Sequence, residues 1–268
     1  MGTPTGIIGV IHVPAMPGDP RDAGGGFEAT IAHAMRDIDA LAAGGVQGLV
    51  IENYGSAPFR KGGRADPIAP HAVACLTRLA MHARDVFPGH IGVNCLRNDA
   101  QAAMGIAAAC GLDFIRVNVH VGAYVTDQGI LEGEAEHTLR YRHALGAQGV
   151  SILADVLVKH AKPLAPVLIG EVTEDNVKRG LADGIIVTGP ATGTPVDLER
   201  LSDAREAAGD VPVFIGSGLT PRLLNPLGMY ADGAIVGTYI KEGGHVHSAV
   251  DVDRVRELVE AAAHYWGP

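Results

Sequence analysis

The chain reads as an α/β protein, one (β/α)8 barrel of the TIM type over residues 1–268, and three observations predict it. Its length of 268 residues is close to the roughly 250 typical of that barrel. Short, nearly continuous apolar runs alternate with helical stretches almost to the end, as parallel strands covered on both faces require. A unit also repeats. Gly-Gly-Val-Gln-Gly-Leu-Val-Ile at 44–51 is echoed by Gly-Leu-Ala-Asp-Gly-Ile-Ile-Val at 180–187 and by Met-Tyr-Ala-Asp-Gly-Ala-Ile-Val at 229–236. Each copy is a helix end, a Gly or Asp turn, and a buried strand. No Pro/Ser-rich linker divides the chain.

The strands are predicted at 6–12, 48–52, 90–94, 114–118, 151–157, 184–188, 213–216 and 233–237. Helices are predicted at 27–43, 69–87, 99–110, 134–145, 173–181, 197–208, 222–229 and 251–265. Thr173, with Asp175 and Asn176, reads as a helix start, as does Asp197.

Composition excludes several function classes. Hydrophobic residues at 47% and charged residues at 19% describe a chain with a large core rather than a disordered one. The net charge of −9, with no Lys/Arg block, argues against nucleic acid as a partner. Apolar runs stop well short of the ~18 residues of a membrane span. Met1 to Ile11 lacks a basic region and a cleavage site, so it reads as a buried first strand rather than a signal peptide. Cys75, Cys95 and Cys110 form no CxxC pair and lie in apolar surroundings. They are expected to be reduced, buried thiols of a cytoplasmic protein. A homo-oligomer is expected on general grounds alone.

Function in this fold gathers at the C-terminal ends of the strands, and those ends are polar. The first run ends at His12 and the second at Glu52-Asn53-Tyr54. The third ends Asn94-Cys95-Leu96-Arg97-Asn98-Asp99. The fourth contains Arg116 and ends Asn118-Val119-His120. The fifth contains Asp155 and continues to Lys159-His160, and the sixth ends Thr188-Gly189. Any one of these side chains is explained equally by strand-end hydrogen bonding or an ion pair inside the barrel. Glu52 and Asp155 are the pair that need partners if buried, and Arg116 or Lys159 would supply them.

A phosphate grip is the sharper signal. The seventh run enters Gly216-Ser217-Gly218 and the eighth enters Gly237-Thr238. Barrel enzymes often hold a substrate phosphate with these two loops and the N-terminus of a short extra helix. Thr238 to Glu242, ahead of Gly243-Gly244, is read as that extra turn. The competing reading is that the glycines only make tight turns. The long segments Tyr54–Pro67 and Val121–Glu132, the latter carrying Thr126-Asp127-Gln128-Gly129, read as lids or as subunit contacts.

The sequence resembles the BtpA/SgcQ family over nearly its whole length. The resemblance is carried by Gly9-Val10-Ile11-His12 with Pro14 and Pro17-Gly18, and by Ile51-Glu52-Asn53-Tyr54-Gly55 with Pro58-Phe59. It continues in Gly92-Val93-Asn94, Leu96-Arg97-Asn98-Asp99 and Phe114-Ile115-Arg116-Val117-Asn118. Thr126-Asp127-Gln128-Gly129, Ala154-Asp155-Val156, Lys159-His160-Ala161, Thr188-Gly189 and Gly216-Ser217-Gly218 complete it. The resemblance implies a (β/α)8 barrel. The family takes its name from a role in photosystem I biogenesis, other members look like sugar-metabolism proteins, and no reaction follows from membership.

Two functions are therefore expected to compete. One is an enzyme on a phosphorylated sugar or nucleotide, its phosphate on Gly216, Ser217, Gly218, Gly237 and Thr238. Asp155 or Glu52 would be the general acid/base, with His12, His120 or Lys159 assisting. Asn53, Asn94, Arg97, Asn98, Arg116, Asn118, Asp127 and Thr188 would bind substrate. Proton transfer beside a carbonyl (isomerase, epimerase or aldolase) and glycosidic cleavage or transfer both fit, and Lys159 also admits a Schiff base. No cofactor is required. A metal where Glu52, Asp155, His12 and His120 meet at the mouth is an alternative; no HExxH occurs, and His245-Val246-His247 follows two glycines as exposed loop, so a hydrated Mg²⁺ on the phosphate fits better than a structural Zn²⁺. The other function is a non-enzymatic assembly or regulatory factor that kept the barrel.

Overall fold

The computed structural model describes residues 3–267. In chain order the strands and helices are β1 (Gly6–His12), α1 (Gly26–Gly44), β2 (Gly48–Glu52), α2 (Pro70–Val86), β3 (His90–Asn94), α3 (Ala100–Cys110), β4 (Phe114–Val117), β5 (Ala123–Thr126), β6 (Gly129–Glu132), α4 (Ala135–Ala144), β7 (Ser151–Val156), β8 (Ala161–Pro163), α5 (Ile169–Lys178), β9 (Gly184–Val187), α6 (Leu198–Ala208), β10 (Val213–Ile215), α7 (Pro221–Leu227), β11 (Gly233–Val236) and α8 (Val252–Trp266). Parallel strands close a barrel in the order β1-β11-β10-β9-β7-β4-β3-β2. The α/β (β/α)8 class predicted from sequence is the class observed.

Side-chain alternation along each strand splits the core into two layers. Ile8, Val10, Val50, Phe114, Leu153, Ile186, Phe214 and Ile235 plug the barrel interior. The opposite faces of the same strands, including Ile7, Leu49, Ile91 and Ile185, pack against the helices. Interior space is tight. A Cβ at Gly92 would lie 2.2 Å from the Phe114 ring, so the missing side chain makes room for the aromatic beside it. The same alternation places the mouth. One step of two residues beyond the plug come His12, Glu52, Asn94, Arg116, Asp155, Thr188, Gly216 and Gly237. The register sets Val10 opposite Val50 and His12 opposite Glu52, and Glu52 opposite Asn94.

The repeated Asp-Gly turn has a mechanical role at the other end of the barrel. Asp183, just before β9, accepts 2.7 Å from Arg142 of α4 and 2.8 Å from the Ile152 amide of β7. Asp232, before β11, accepts 2.7 Å from Arg205 of α6 and 2.8 Å from the Val213 amide of β10. Asp113, before β4, does the same with Arg84 of α2 and the Ile91 amide of β3. At the corresponding place before β2, Gln47 accepts 2.8 Å from the Ile7 amide of β1. Each carboxylate joins the strand beside it to the helix before that strand, at the end of the barrel where stability rather than chemistry resides.

Three expectations are corrected. The segment Val121–Glu132 is an ordered antiparallel hairpin: β5 pairs with β6 and with β8. Tyr124 and Leu131 are buried with Val119 and Val158, while their strand neighbours Val125 and Ile130 are exposed. Helix α5 begins at Ile169 rather than Thr173. Glu171 in its first turn accepts 3.2 Å from the Leu168 amide, and Thr173 and Asn176 are buried inside the helix. Thr238–Glu242 forms no helical turn. Lys241 is fully buried on Asp37 and bridges Val250, so the short 3-10 turn is pushed on to Glu242–Gly244. Cys75, Cys95 and Cys110 are all buried and unpaired. Burial raises each thiol, Cys75 to about 11. No helix among the described residues is long and apolar enough to cross a membrane.

Candidate active site at the barrel mouth

Arg116, on β4, is the centre of the mouth. Its Nε and Nη2 donate to the two oxygens of Asp155 at 2.9 and 3.0 Å, and its Nη1 donates to Glu52 at 3.1 Å. Asn94 donates 2.9 Å to the same Glu52 oxygen, and Asn118 donates 2.8 Å to Asp155. All five side chains are buried. Burial alone would lower the Arg116 proton affinity, but the Asp155 and Glu52 charges outweigh it and hold the guanidinium above its ordinary range. The group is thus a charge-paired network, with Asn118 Oδ1 left without a partner among the described residues. Its carboxylates are fixed acceptors that share one guanidinium.

Two further titratable groups stand beside this network. Burial, and then the Arg116 charge, lowers the Lys159 ammonium to about 8. Among the described residues only its backbone is engaged: the amide donates 3.2 Å to Thr188 and the carbonyl accepts 2.8 Å from Arg97. His12 is held well below its usual value, first by burial and then by the charges of Lys241 and Lys159. Its ring lies 4.6 Å from that of Tyr54, which is in turn 5.8 Å from His247. The His12 Nδ1 is buried and has no hydrogen-bond partner among the described residues.

Two adjoining cavities open here. One, of about 210 Å³, is lined by the Gly216-Ser217-Gly218 turn, by Gly237-Thr238, and by Arg254. The other, of about 220 Å³, is lined by Asn94, Arg97, Asn118, Tyr54 and Phe59. His12, Glu52, Arg116, Lys159 and Thr192 line both and form the waist between them.

The first cavity has the character of an anion site. The backbone N–H groups of Ser217, Gly218 and Thr238 have no acceptor among the described residues. Gly218 takes the left-handed φ of +69°, and a Cβ there would lie 2.4 Å from the Pro195 nitrogen. Gly237 leaves the room that the His12 ring fills, since a Cβ would sit 2.5 Å from its Cε1. The Ser217 hydroxyl is already used, accepting 2.8 Å from the Gly189 amide and donating 2.9 Å to the Thr194 carbonyl. Only the Ser217 backbone faces a ligand. Arg254, in the first turn of α8, donates 2.6 Å to the Tyr239 carbonyl and lies 4.5 Å over the Tyr239 ring. Its guanidinium borders the same cavity. Sequence reading missed Arg254. The available signal was a cation in a helix's first turn, which opposes the helix dipole and so asks for a separate reason.

Several expected binders are committed to the scaffold. Asn53 accepts 2.7 Å from the Leu96 amide and donates 3.1 Å to its carbonyl. Asn98 grips Val119 identically at 2.8 and 2.9 Å. Each amide locks the end of the next strand and lines neither cavity. Thr188 is buried and holds the Lys159 amide. His120 donates through Nε2 to the Gly180 carbonyl at 2.8 Å and lines neither cavity. Asp127 is exposed at the β5–β6 turn, also outside both cavities. No group of three or more His, Cys, Asp or Glu side chains suited to a metal ion occurs among the described residues.

The strand-end set and the whole barrel match a known family pattern, BtpA, over residues 3–264. The chain belongs to the BtpA family. It is 44% identical over 257 residues, 96% of this chain and 88% of the relative, to the photosystem I biogenesis protein BtpA of Synechocystis. It is 41% identical to an uncharacterized protein of Pyrococcus furiosus, covering 94% of this chain and 93% of that one. Among solved structures, thiamine phosphate pyrophosphorylase from Pyrococcus furiosus superposes with a TM-score of 0.58 at 11% identity, over 97% of this chain and 96% of that one. N-(5'-phosphoribosyl)anthranilate isomerase from the same organism gives 0.57 at 10%, over 97% and 99%. These likenesses establish the barrel fold.

Proposed function

We propose that the chain is an enzyme acting on a phosphorylated sugar or nucleotide, with the phosphate in the Ser217/Gly218/Thr238/Arg254 cavity and the reacting carbons in the Asn94/Arg97/Asn118 cavity. The observation that carries this reading is the shared waist: a ligand spanning both cavities passes His12, Glu52, Arg116 and Lys159. Unpaired amides and a guanidinium favour an anion at one end. At the waist, Lys159 and neutral His12 are suited to proton transfer, while Arg116, Asn94 and Asn118 orient hydroxyls and balance charge. Glu52 and Asp155 hold Arg116 and set the field, a smaller role than general base. Proton transfer beside a carbonyl fits this set better than glycosidic cleavage. The latter needs a carboxylic acid that can give up its proton, and both carboxylates here are already paired with a cation.

The test is a thermal-shift screen of sugar phosphates, nucleotides and their dephosphorylated parents. A ligand at about a hundred times its dissociation constant adds roughly 2.7 kcal/mol. Stabilisation by phosphorylated members alone supports the proposal, and none by any member removes it.

A second reading, a non-enzymatic assembly or regulatory factor, is favoured by one observation. Val125 and Ile130, directly paired across β5 and β6, are exposed together, with Leu164 and Leu168 also exposed close by in sequence to β8. Such apolar groups suit a protein contact. It gains ground only if the screen is blank.

A further inference from the structure

We propose that the Lys159 side chain is an imine-forming nucleophile, and that the substrates of this site are therefore phosphorylated aldehydes or ketones. The inference rests on the phosphate reading above and narrows it to a substrate class. It starts from how the waist distributes its charges. Lys159 borders both cavities beside two buried carboxylates, yet makes no ion pair with either among the described residues. Asp155 is occupied by two donors of Arg116 and by Asn118. Glu52 is occupied by Arg116 and Asn94. The fold thus supplies one cation of its own to the two carboxylates, and leaves the Lys159 amine without a hydrogen-bond partner among the described residues where a ligand would pass. The amine is half-buried with Arg116 near it, and with Arg97, whose guanidinium donates to the Lys159 carbonyl. Burial and the Arg116 charge outweigh the opposing pull of Glu52 and Asp155 and so favour the neutral amine, the form that attacks carbonyls. A lysine meant only to bind phosphate gains nothing from them.

The step balances without any further reagent. The Lys159 nitrogen lone pair attacks the carbonyl carbon, and the carbonyl electrons move to oxygen, giving a carbinolamine. In all, the nitrogen gives up its two protons, the oxygen takes up two and leaves as one water molecule, and a C=N bond remains. No oxidant or reductant enters. His12, with an unpartnered Nδ1 in the same waist, is a group placed to relay these protons.

The experiment incubates the full chain with glyceraldehyde 3-phosphate, dihydroxyacetone phosphate or ribose 5-phosphate and with cyanoborohydride, then maps the adduct by intact mass and peptide sequencing. Thermal shift is read on parallel samples lacking reductant. The expected result is a single adduct of ligand mass less one oxygen on the Lys159 peptide. It should be suppressed at least about tenfold by excess inorganic phosphate, and absent from Lys159→Arg, which keeps the charge. Adducts spread over exposed Lys162 and Lys178 in proportion to exposure would overturn the proposal. A thermal shift with sugar phosphates but no adduct would also overturn it while leaving the phosphate reading intact. No shift and no adduct would remove the reading on which it rests.

Discussion

Replacing Arg116 with methionine should be the most damaging single change at the mouth. Methionine keeps most of the apolar stem and removes the charge. Three charge-assisted hydrogen bonds disappear, two to Asp155 and one to Glu52. Each carboxylate then retains one amide donor, Asn118 or Asn94, with side chains 0% and 7% exposed. Breaking a buried ion pair from one side costs about 3–5 kcal/mol, because the orphaned charge remains in place. For a chain of this size that corresponds to a fall in Tm of roughly 6–20 °C, at about 2–4 °C per kcal/mol. The folded-state affinity of Arg116 for its proton is raised. Its own titration therefore takes nothing from wild-type stability until pH rises through and above the ordinary arginine range. In R116M, by contrast, the deficit should shrink as pH falls and the orphaned carboxylates take up protons. Urea titrations at neutral and acid pH measure both effects. Adding Asp155→Asn and Glu52→Gln to R116M should recover more than half the loss, since amides need no counter-charge. A loss under about 1 kcal/mol for R116M, or no rescue, refutes the charge-paired network as described.

Lys159→Met should act in the opposite direction on stability. The ammonium falls from 10.5 to about 8 in the folded chain, so between those values the unfolded chain binds more protons and stability rises with pH. The cost of the charged lysine is greatest below pH 8, and K159M should melt higher near neutrality, with the advantage vanishing towards pH 10.5. Thermal unfolding across that range checks it; a pH-independent difference contradicts it. His12, lowered well below its usual value, has the same sign at lower pH: stability falls as pH drops below 6.5, and His12→Gln should flatten that limb in acid titrations. Asp183→Ala removes acceptors from Arg142 and from the Ile152 amide and should cost about 1–3 kcal/mol by denaturant unfolding, with ligand binding unchanged. Gly218→Ala should impair the phosphate turn more than stability, because the new Cβ meets the Thr194–Pro195 backbone at 2.4 Å; circular dichroism and ligand titration separate the two.

The barrel was legible because its strands carry an unambiguous signal: short apolar runs flanked by turns. The start of each barrel strand was read correctly. The β5–β6 hairpin was read as a loop, since Tyr124 and Leu131 point inward while Val125 and Ile130 do not, and strands this short carry too few alternations to stand out. The start of α5 was misplaced because Thr173, Asp175 and Asn176 have cap-forming chemistry. Here Thr173 and Asn176 are buried, and the Asn176 amide donates 2.8 Å to the Val172 carbonyl within the helix. At the site, strand-end polarity located the mouth but not the division of labour. Asn53 and Asn98 look like substrate ligands in sequence, yet they clamp Leu96 and Val119. That depends on which backbone groups lie across the neighbouring strand, a matter of register. Arg254 lies far along the chain from the glycine turns it joins, and only barrel closure brings it there.

The central claim is that one mouth cavity holds phosphate through the Ser217, Gly218 and Thr238 amides and Arg254. The most direct measurement is calorimetric titration of a sugar phosphate and its dephosphorylated parent into the wild type and into Arg254→Ala. The expected result is binding of the phosphorylated compound alone, weakened in R254A by about 10- to 150-fold for a lost charged hydrogen bond of roughly 1.5–3 kcal/mol, while the variant stays folded and loses about 1–3 kcal/mol of stability with the Tyr239 contacts. Equal binding of both compounds, or undiminished binding in R254A, would contradict it.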